Sequence, residues 1–228
     1  MTTGSFAEFI LHHDIIGFHE QPLTLKSGRK SHFYVNWRKA SNDAYLLDTL
    51  TDFIADYIER EKLPCDTLYG VPEGASKTAV ITAFKLAKRA KHFAEDSHII
   101  AMGRAKPKPH GDPKDRFFIG APRGKTLVLE DTVTTGLSLF QCLDQLLESG
   151  VDVHGVLSLT DRSEVRDDGL TAAEYLKKHY HGKIAYYPLS RAPELLKKAV
   201  QQRNPNDSLV SVLASELGIS VQELRGQS

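Results

Sequence analysis

The feature that most constrains the fold is the run from Thr126 to Ser138, which reads TLVLEDTVTTGLS. Its apolar start is typical of a buried strand, and we predict that this strand ends at the carboxylates Glu130 and Asp131. A hydroxyl-rich loop with one glycine follows and leads into a segment with helical apolar spacing. In open α/β sheets ligands bind beyond the carboxyl ends of the strands, and a helix N-terminus presents N–H groups to an anion. The run therefore predicts a loop that binds an anionic ligand.

The rest of the chain alternates strand and helix patterns, which predicts an α/β fold with a central, mostly parallel sheet flanked by helices. We expect an N-terminal hood at 1–40, an α/β core at 41–190, and a C-terminal helical extension at 191–228 packed on the same domain. The extension could cover the sheet or widen a dimer interface. Helices are predicted at 5–16, 42–60, 75–90, 172–180, 192–202 and 207–218. Strands are predicted at 22–25 and 32–37 as a hairpin, and at 67–72, 99–102, 126–129, 153–159 and 184–187.

Composition excludes several classes of function. The 228 residues carry a formal net charge of zero, so the overall electrostatic field of the protein gives no reason to expect nucleic acid or a membrane surface as a partner. The two cysteines, Cys65 and Cys142, lie far apart and indicate neither a disulfide framework nor a zinc site. No run approaches the roughly 18 apolar residues of a membrane span. We expect a soluble, cytoplasmic protein that binds small molecules.

The stretch 103–124 interrupts the pattern. It holds four prolines and four glycines, shows no apolar periodicity, and carries six basic residues against two aspartates. A loop of this length inside a compact domain is usually a functional lid or disordered. A basic loop beside a two-carboxylate loop predicts a polyanionic ligand held together with a divalent cation.

The adjacent carboxylates suggest their own chemistry. Because side chains alternate along a strand, Glu130 and Asp131 are expected to face different sides and to do different work. At the strand end a carboxylate can accept hydrogen bonds from a ribose diol, while the hydroxyl and N–H groups of 132–138 suit a terminal phosphate. The plainer alternative is that the acidic pair caps a helix and that the threonines form a turn.

Residues 127–136 closely resemble the phosphoribosyl pyrophosphate (PRPP) signature of the type I phosphoribosyltransferases. Within that family, 25–31 with the following aromatic pair, Arg104 followed by 108–111, and 161–164 together resemble the orotate phosphoribosyltransferases. The resemblance covers about residues 20–165 and implies a Rossmann-like fold with a small hood. It also implies an enzyme that condenses orotate with PRPP, giving orotidine 5′-monophosphate and pyrophosphate in de novo pyrimidine synthesis.

The resemblance further implies residue roles. Catalysis is expected of Asp131 and of Lys108 and His110 on the basic loop. Orotate is expected to contact Lys26, Tyr34, Val35, Thr134 and Arg162, whose guanidinium suits a carboxylate. The residues expected to bind PRPP are Lys26, Arg104, Lys106, Lys108, His110, Glu130, Asp131, Thr132, Val133, Thr134, Thr135, Gly136, Leu137 and Ser138.

The family also implies a metal and a partner. Mg²⁺ is expected to be chelated by the pyrophosphate and ribose oxygens of PRPP, so Glu130 and Asp131 need not be direct ligands and could contact the ion through water. The basic loop at 103–124 is expected to close over the site of a neighbouring subunit and exclude water, which implies a homodimer.

Three departures from the family pattern keep two alternatives open. Ala105 follows Arg104 where family members have adjacent Arg and Lys, and Val35 stands where an aromatic residue is usual. Glu73 lies where many members have a tyrosine or lysine, so its charge near pyrophosphate needs Mg²⁺ or Lys77 to offset it. The alternatives are a divergent phosphoribosyltransferase for another base and a PRPP-binding regulator without catalysis.

Overall fold

The structure is a computed structural model that describes residues 4–25, 28–104, 106, 108, 110 and 116–227. Its helices are α1 (Phe6–His12), α2 (Arg38–Ser41), α3 (Ala44–Arg60), α4 (Ser76–Arg89), α5 (Leu137–Glu148), α6 (Ala172–His179), α7 (Ala192–Arg203), α8 (Asp207–Leu217) and α9 (Val221–Arg225). Its strands are β1 (Ile16–Thr24), β2 (Lys30–Val35), β3 (Thr67–Gly70), β4 (Met102–Gly103), β5 (Phe118–Ile119), β6 (Thr126–Val133), β7 (Val153–Asp161) and β8 (Ala185–Pro188).

Four of these strands form the central sheet, in the order β3–β6–β7–β8, and each neighbouring pair is parallel. Parallel neighbours need crossover connections, which α5 supplies between β6 and β7 and α6 between β7 and β8. The predicted α/β fold with a parallel sheet flanked by helices is confirmed. Strand β6 lies in the interior of the sheet, so the loop that follows it opens at the middle of the sheet's carboxyl edge.

Strand β6 is longer than predicted. It continues past Glu130 and Asp131 to Val133, so the prediction that the carboxylates end the strand is wrong. The reason is pairing with β7, in which Thr132 lies opposite Thr160 and Val133 opposite Asp161. Polar side chains at a sheet's carboxyl edge resemble a loop in the sequence, although their backbone still belongs to the ladder.

Two other boundaries were also wrong. The predicted strand at 99–102 reduces to β4, which pairs antiparallel with β5 inside the stretch expected to be irregular. Ser5 caps α1 as expected and forms a capping box with Glu8, but the helix ends at His12 rather than near 16. It ends early because Ile16 already pairs with Val35 in the hairpin of β1 and β2. The short helices α2 and α9 were not predicted.

Two apolar clusters pack around the sheet. Alternate residues of β6 divide between them, with Leu127 and Leu129 in the first cluster and Val128 in the second. The first cluster also holds buried residues of the hood and of the C-terminal extension. Those residues are Phe9, Ile10, Leu11, Ile16, Phe33 and Val35 of the hood, and Leu195, Leu196, Leu209, Val210, Leu213 and Leu224 of the extension. The extension therefore shares one core with the hood.

The close approach of β3 and α4 predicts a measurable cost for a single methyl group. A Cβ on Gly70 would lie 2.6 Å from the Ala75 carbonyl oxygen and 2.8 Å from the Ala79 Cβ. We expect Gly70→Ala to lower the free energy of unfolding by about 1–3 kcal/mol, because backbone and core must shift. Gly17→Ala is the matched control, since the space around a Cβ on Gly17 is open. Equal denaturation midpoints for the two variants would contradict this packing.

Candidate active site

A cavity of about 470 Å³ opens at the carboxyl edge of the sheet, between the ends of β6 and β7 and strand β2 of the hood. It brings together residues from four separate parts of the chain. Its lining comprises Leu25, Tyr34, Val35, Asn36, Trp37, Arg38, Pro72, Glu73, Gly74, Glu130, Asp131, Thr132, Val133, Thr134, Thr135, Gly136, Leu137, Ser138, Leu139 and Arg162.

The loop from Thr132 to Ser138 forms one wall of this cavity and leads directly into α5. Gly136 is the residue before the helix and has a φ of +80°, a conformation that favours glycine. A Cβ there would also lie 2.5 Å from the Phe140 ring. The first turn of α5 carries no acidic residue, so nothing on the helix opposes an anion at its N-terminus. The loop fits the predicted phosphate site.

Arg166 anchors this loop from outside the cavity. Its Nη1 donates a hydrogen bond to the Thr135 carbonyl at 2.5 Å, and its guanidinium carbon lies 4.0 Å from the centre of the Tyr175 ring. Sequence reasoning missed Arg166, because no local pattern links it to a loop 31 residues earlier.

The acidic pair lies at the floor of the cavity. Glu130 folds back so that its Oε1 accepts from the Asp131 N–H at 3.1 Å, which brings the two carboxyl groups within hydrogen-bonding reach of each other. Both side chains line the one cavity, so the expectation that they face different sides is wrong, because the Glu130 side chain bends back along the strand toward Asp131.

Burial raises the pKa of Asp131, while the bond from Glu130, the Thr132 N–H and the nearby charge of Arg38 act in the opposite direction. The Thr132 N–H donates to Asp131 Oδ1 at 2.6 Å. A Cβ on Gly74 would lie 2.8 Å from Asp131 Oδ2, so the backbone after β3 closes directly over the carboxylate. Arg38, which sequence reasoning did not select, contributes positive charge to this part of the cavity.

Arg162 also lines the cavity, with only 2% of its side chain exposed. Its Nε donates to Glu164 at 2.5 Å, Nη1 to the Phe33 carbonyl at 3.3 Å and Nη2 to Ser31 Oγ at 3.0 Å. A guanidinium has five N–H groups, so these partners leave one N–H on each terminal nitrogen among the contacts of the described residues. The guanidinium also lies 3.9 Å from the centre of the Phe33 ring. Two neighbouring donors held in one plane suit a carboxylate.

The hood supplies the remaining predicted base contacts. Tyr34 is half-buried, Val35 is buried, and both line the cavity on the side of Arg162. Thr134 lines it from the phosphate loop. Lys26, which was expected to contact both substrates, lies outside the described residues.

Among the described residues of the basic loop, none lines the cavity of its own chain. Arg104 is held at the stem, where its N–H donates to the Phe117 carbonyl at 2.9 Å and its Nε to the Phe118 carbonyl at 3.2 Å. Lys106, Lys108 and His110 are exposed, and none belongs to the described lining. The structure thus does not bring these predicted residues together with Glu130 and Asp131 in one chain. Ala105 lies outside the described residues.

Lys77 forms no ion pair with Glu73 in the described part of the chain. Its Nζ donates to the Asn42 side chain at 2.8 Å, which holds the ammonium at the junction of α2 and α3. Glu73 is exposed and lines the cavity.

The donor atoms in the cavity suit Mg²⁺ bound through a ligand. Within the described ranges, no group of three or more His, Cys, Asp or Glu side chains is arranged to hold a metal ion. Glu130 and Asp131 offer carboxylate oxygens, the hard donors that Mg²⁺ prefers, and Mg²⁺ usually keeps several waters and binds substrate phosphates. The residues present therefore fit a magnesium ion that arrives with a pyrophosphate.

The parallel sheet, the acidic pair at its central strand end and the phosphate loop at the start of α5 define a type I phosphoribosyltransferase. No family model matches the chain. The orotate phosphoribosyltransferase of Marinobacter nauticus is 30% identical over 77% of this chain and 78% of its own length. The chain belongs to the orotate phosphoribosyltransferase family.

Solved structures agree on the fold. The orotate phosphoribosyltransferase of Francisella tularensis superposes with a TM-score of 0.68 at 22% identity, over 92% of this chain and 96% of its own. That of Mycobacterium tuberculosis in complex with PRPP superposes with a TM-score of 0.52 at 20% identity, over 83% of this chain and 96% of its own.

The anchoring of the phosphate loop by Arg166 yields a prediction. Arg166→Ala removes a charged donor from the Thr135 carbonyl, so we expect ribose 5-phosphate to bind about tenfold more weakly. Arg60→Ala is the matched control, because Arg60 also pairs with a neighbouring carboxylate and stacks on a tyrosine, on the exposed end of α3. Calorimetric titration checks both variants, and equal affinities would contradict the anchoring role.

Proposed function

We propose that this cavity transfers the 5-phosphoribosyl group from PRPP to orotate, giving orotidine 5′-monophosphate and pyrophosphate. The observation that carries the proposal is that one cavity joins a phosphate loop, an acidic pair and a buried arginine whose contacts with the described residues use three of its five N–H groups. The family relationship supports the same reaction, which belongs to de novo pyrimidine synthesis.

The PRPP half of the reaction uses the end of β6. The 5′-phosphate binds the N–H and hydroxyl groups between Thr132 and Ser138, where the dipole of α5 favours an anion. The ribose hydroxyls donate to Glu130 and Asp131. Departure of pyrophosphate leaves positive charge on the ribose ring, and the carboxylates stabilise that charge from the cavity floor.

The orotate half uses the hood. The two spare N–H groups of Arg162 bind the orotate carboxylate, and Tyr34 and Val35 cover the ring. Val35 provides apolar contact without aromatic stacking. Lys26 stays a prediction for both substrates.

Bound Mg²⁺ neutralises charge on the pyrophosphate and so makes it a better leaving group. Glu130 and Asp131 would hold the ion through their carboxylate oxygens, directly or through its bound waters. This arrangement also relieves the repulsion between Glu73 and the pyrophosphate.

A homodimer completes the site. Lys108 and His110 carry the positive charge that a departing pyrophosphate needs, and in one chain they lie outside the cavity. Exposed apolar side chains on α4 and around the stem of the basic loop support an interface at these elements. They are Ile81, Phe84, Ile100 and Ile119. In the dimer the loop at 103–124 covers the neighbouring site and excludes water.

Location stays a prediction. Within the described part of the chain no helix is both long and apolar enough to cross a membrane. We expect the enzyme to act in the cytoplasm on its small-molecule substrates.

A base panel separates this reaction from its alternatives. Release of pyrophosphate from PRPP and Mg²⁺ is measured with orotate, uracil, adenine and hypoxanthine. We expect release with orotate. Pyrophosphate release with one of the other bases but not with orotate would indicate a divergent phosphoribosyltransferase. Tight PRPP binding without pyrophosphate release for any base would indicate a regulator.

The assigned catalytic roles predict that Asp131→Asn and Lys108→Ala each lower kcat by at least about tenfold, or roughly 1.4 kcal/mol in the barrier. Asp131→Asn removes a negative charge beside the ribose, and Lys108→Ala removes a positive charge at the pyrophosphate. Steady-state kinetics with orotate checks both, and near wild-type turnover in both would contradict the roles.

Mixing the two variants tests the dimer. Random mixing of equal amounts makes about half of the dimers heterodimers. If the loop acts on the neighbouring subunit, each heterodimer has one of its two sites fully intact. Activity then returns to about a quarter of the wild-type value. Each variant alone stays inactive under the same conditions. Failure to regain activity after verified subunit exchange would contradict a loop that acts across the interface.

The role of Arg162 predicts a selective defect. Arg162→Lys replaces a planar pair of donors by a point charge, so we expect the KM for orotate to rise at least about tenfold and the KM for PRPP to change little. A variant whose two KM values rise together, or not at all, would contradict carboxylate recognition by Arg162.

A further inference from the structure

We propose that Glu216, on α8 of the C-terminal extension, is a positioning residue that acts through Ser31 to aim Arg162 at the orotate carboxylate. The inference rests on the role proposed above for Arg162. It gives the extension at 191–228 a part in base recognition, although no residue of the extension belongs to the described cavity lining.

Glu216 holds strand β2 with both carboxylate oxygens. Its Oε1 accepts from the His32 N–H at 2.8 Å and lies 2.5 Å from His32 Nδ1. Its Oε2 accepts from the Ser31 hydroxyl at 2.9 Å. Only 21% of the Glu216 side chain is exposed, so water competes weakly for these contacts.

Ser31 connects this carboxylate to Arg162. The Ser31 oxygen is buried and accepts from Arg162 Nη2 at 3.0 Å and from the Phe33 N–H at 3.2 Å. A hydroxyl has two acceptor sites and one proton, so both acceptor sites are used and one proton is left to donate. That proton has two acceptors within reach, Glu216 and the Phe33 carbonyl at 2.9 Å.

The choice between these acceptors affects Arg162. An ionised carboxylate is the stronger acceptor, so Glu216 draws the Ser31 proton away from the Phe33 carbonyl. That carbonyl is then left to accept from Arg162 Nη1, at 3.3 Å. Without Glu216 the hydroxyl proton turns to the Phe33 carbonyl, which then shares its two lone pairs between Ser31 and Arg162 and is a weaker acceptor for each. Two of the three bonds that orient the guanidinium thus depend on one glutamate.

The extension is fastened to the hood independently of Glu216. Arg203 of α7 donates to the Leu11 carbonyl at 3.1 Å and to Asp14 at 2.6 Å, on the other side of the hood. Leu209, Val210 and Leu213 of α8 pack in the same apolar cluster as Phe33. A change at Glu216 therefore alters the polar link and leaves the docking of the helix in place.

The test compares Glu216→Ala and Glu216→Gln with wild type in steady-state assays that vary orotate and PRPP separately. We expect the KM for orotate to rise about three- to tenfold in Glu216→Ala, with the KM for PRPP within about twofold of wild type. Glu216→Gln keeps the size of the side chain and weakens the acceptor, so it should show a smaller rise. Glu223→Gln, which removes an exposed carboxylate from α9 of the same extension, is the matched control and should match wild type.

A double-mutant cycle identifies the route. Ser31→Ala removes the connection, so adding Glu216→Ala to it should change the KM for orotate by less than about twofold further. Additive effects of the two changes would overturn the route through Ser31. Equal rises in both KM values together with a lowered melting temperature would overturn a positioning role, since general loosening affects both substrates.

The Arg162→Lys variant distinguishes failure of the role proposed for Glu216 from failure of the role proposed for Arg162. If Arg162→Lys raises the KM for orotate while Glu216→Ala leaves it unchanged, the inference fails and the proposed function stands. If Arg162→Lys itself leaves the KM for orotate unchanged, the role of Arg162 fails and the inference fails with it.

Discussion

The site depends on the pairing of β6 with β7 beyond the acidic pair. Because the ladder continues to Val133 and Asp161, the Arg162 N–H donates to the Val133 carbonyl at 2.8 Å. This backbone bond places the loop from Thr132 to Ser138 and Arg162 side by side at one sheet edge. Parallel strands bring their carboxyl ends to the same edge, so the two halves of the reaction meet there. A strand that stopped at Leu129 would leave both loops without this common support.

The second constraint is the burial of a permanent charge. Arg162 is almost fully enclosed, and a buried guanidinium is tolerated only where its N–H groups find partners. The hood provides Ser31 and the Phe33 carbonyl, and the turn after β7 provides Glu164. The orientation of Arg162 thus depends on how the hood sits on the sheet, and the C-terminal extension contacts the hood through Glu216 and Arg203. The two ends of the chain meet above a site built mainly from its middle.

Local patterns in the sequence predicted much of this structure. The run from Thr126 to Ser138 carries its strand, loop and helix start in consecutive residues, so the fold class and the phosphate loop could be inferred directly. The continuation of β6 could not, because Glu130 to Val133 look like a loop until β7 is paired with them. Arg166 and Glu216 were missed for a related reason. Their partners lie 31 and 185 residues away, and only the folded chain brings them together.

The central claim is that this cavity consumes orotate only when PRPP and Mg²⁺ are present. The direct test follows orotate by its absorbance in the complete mixture, in a mixture without PRPP and in a mixture without Mg²⁺. We expect loss of orotate absorbance in the complete mixture, with an equal amount of pyrophosphate formed, and no loss when either PRPP or Mg²⁺ is omitted. Unchanged orotate in the complete mixture, with a protein that binds PRPP and is folded, would contradict it.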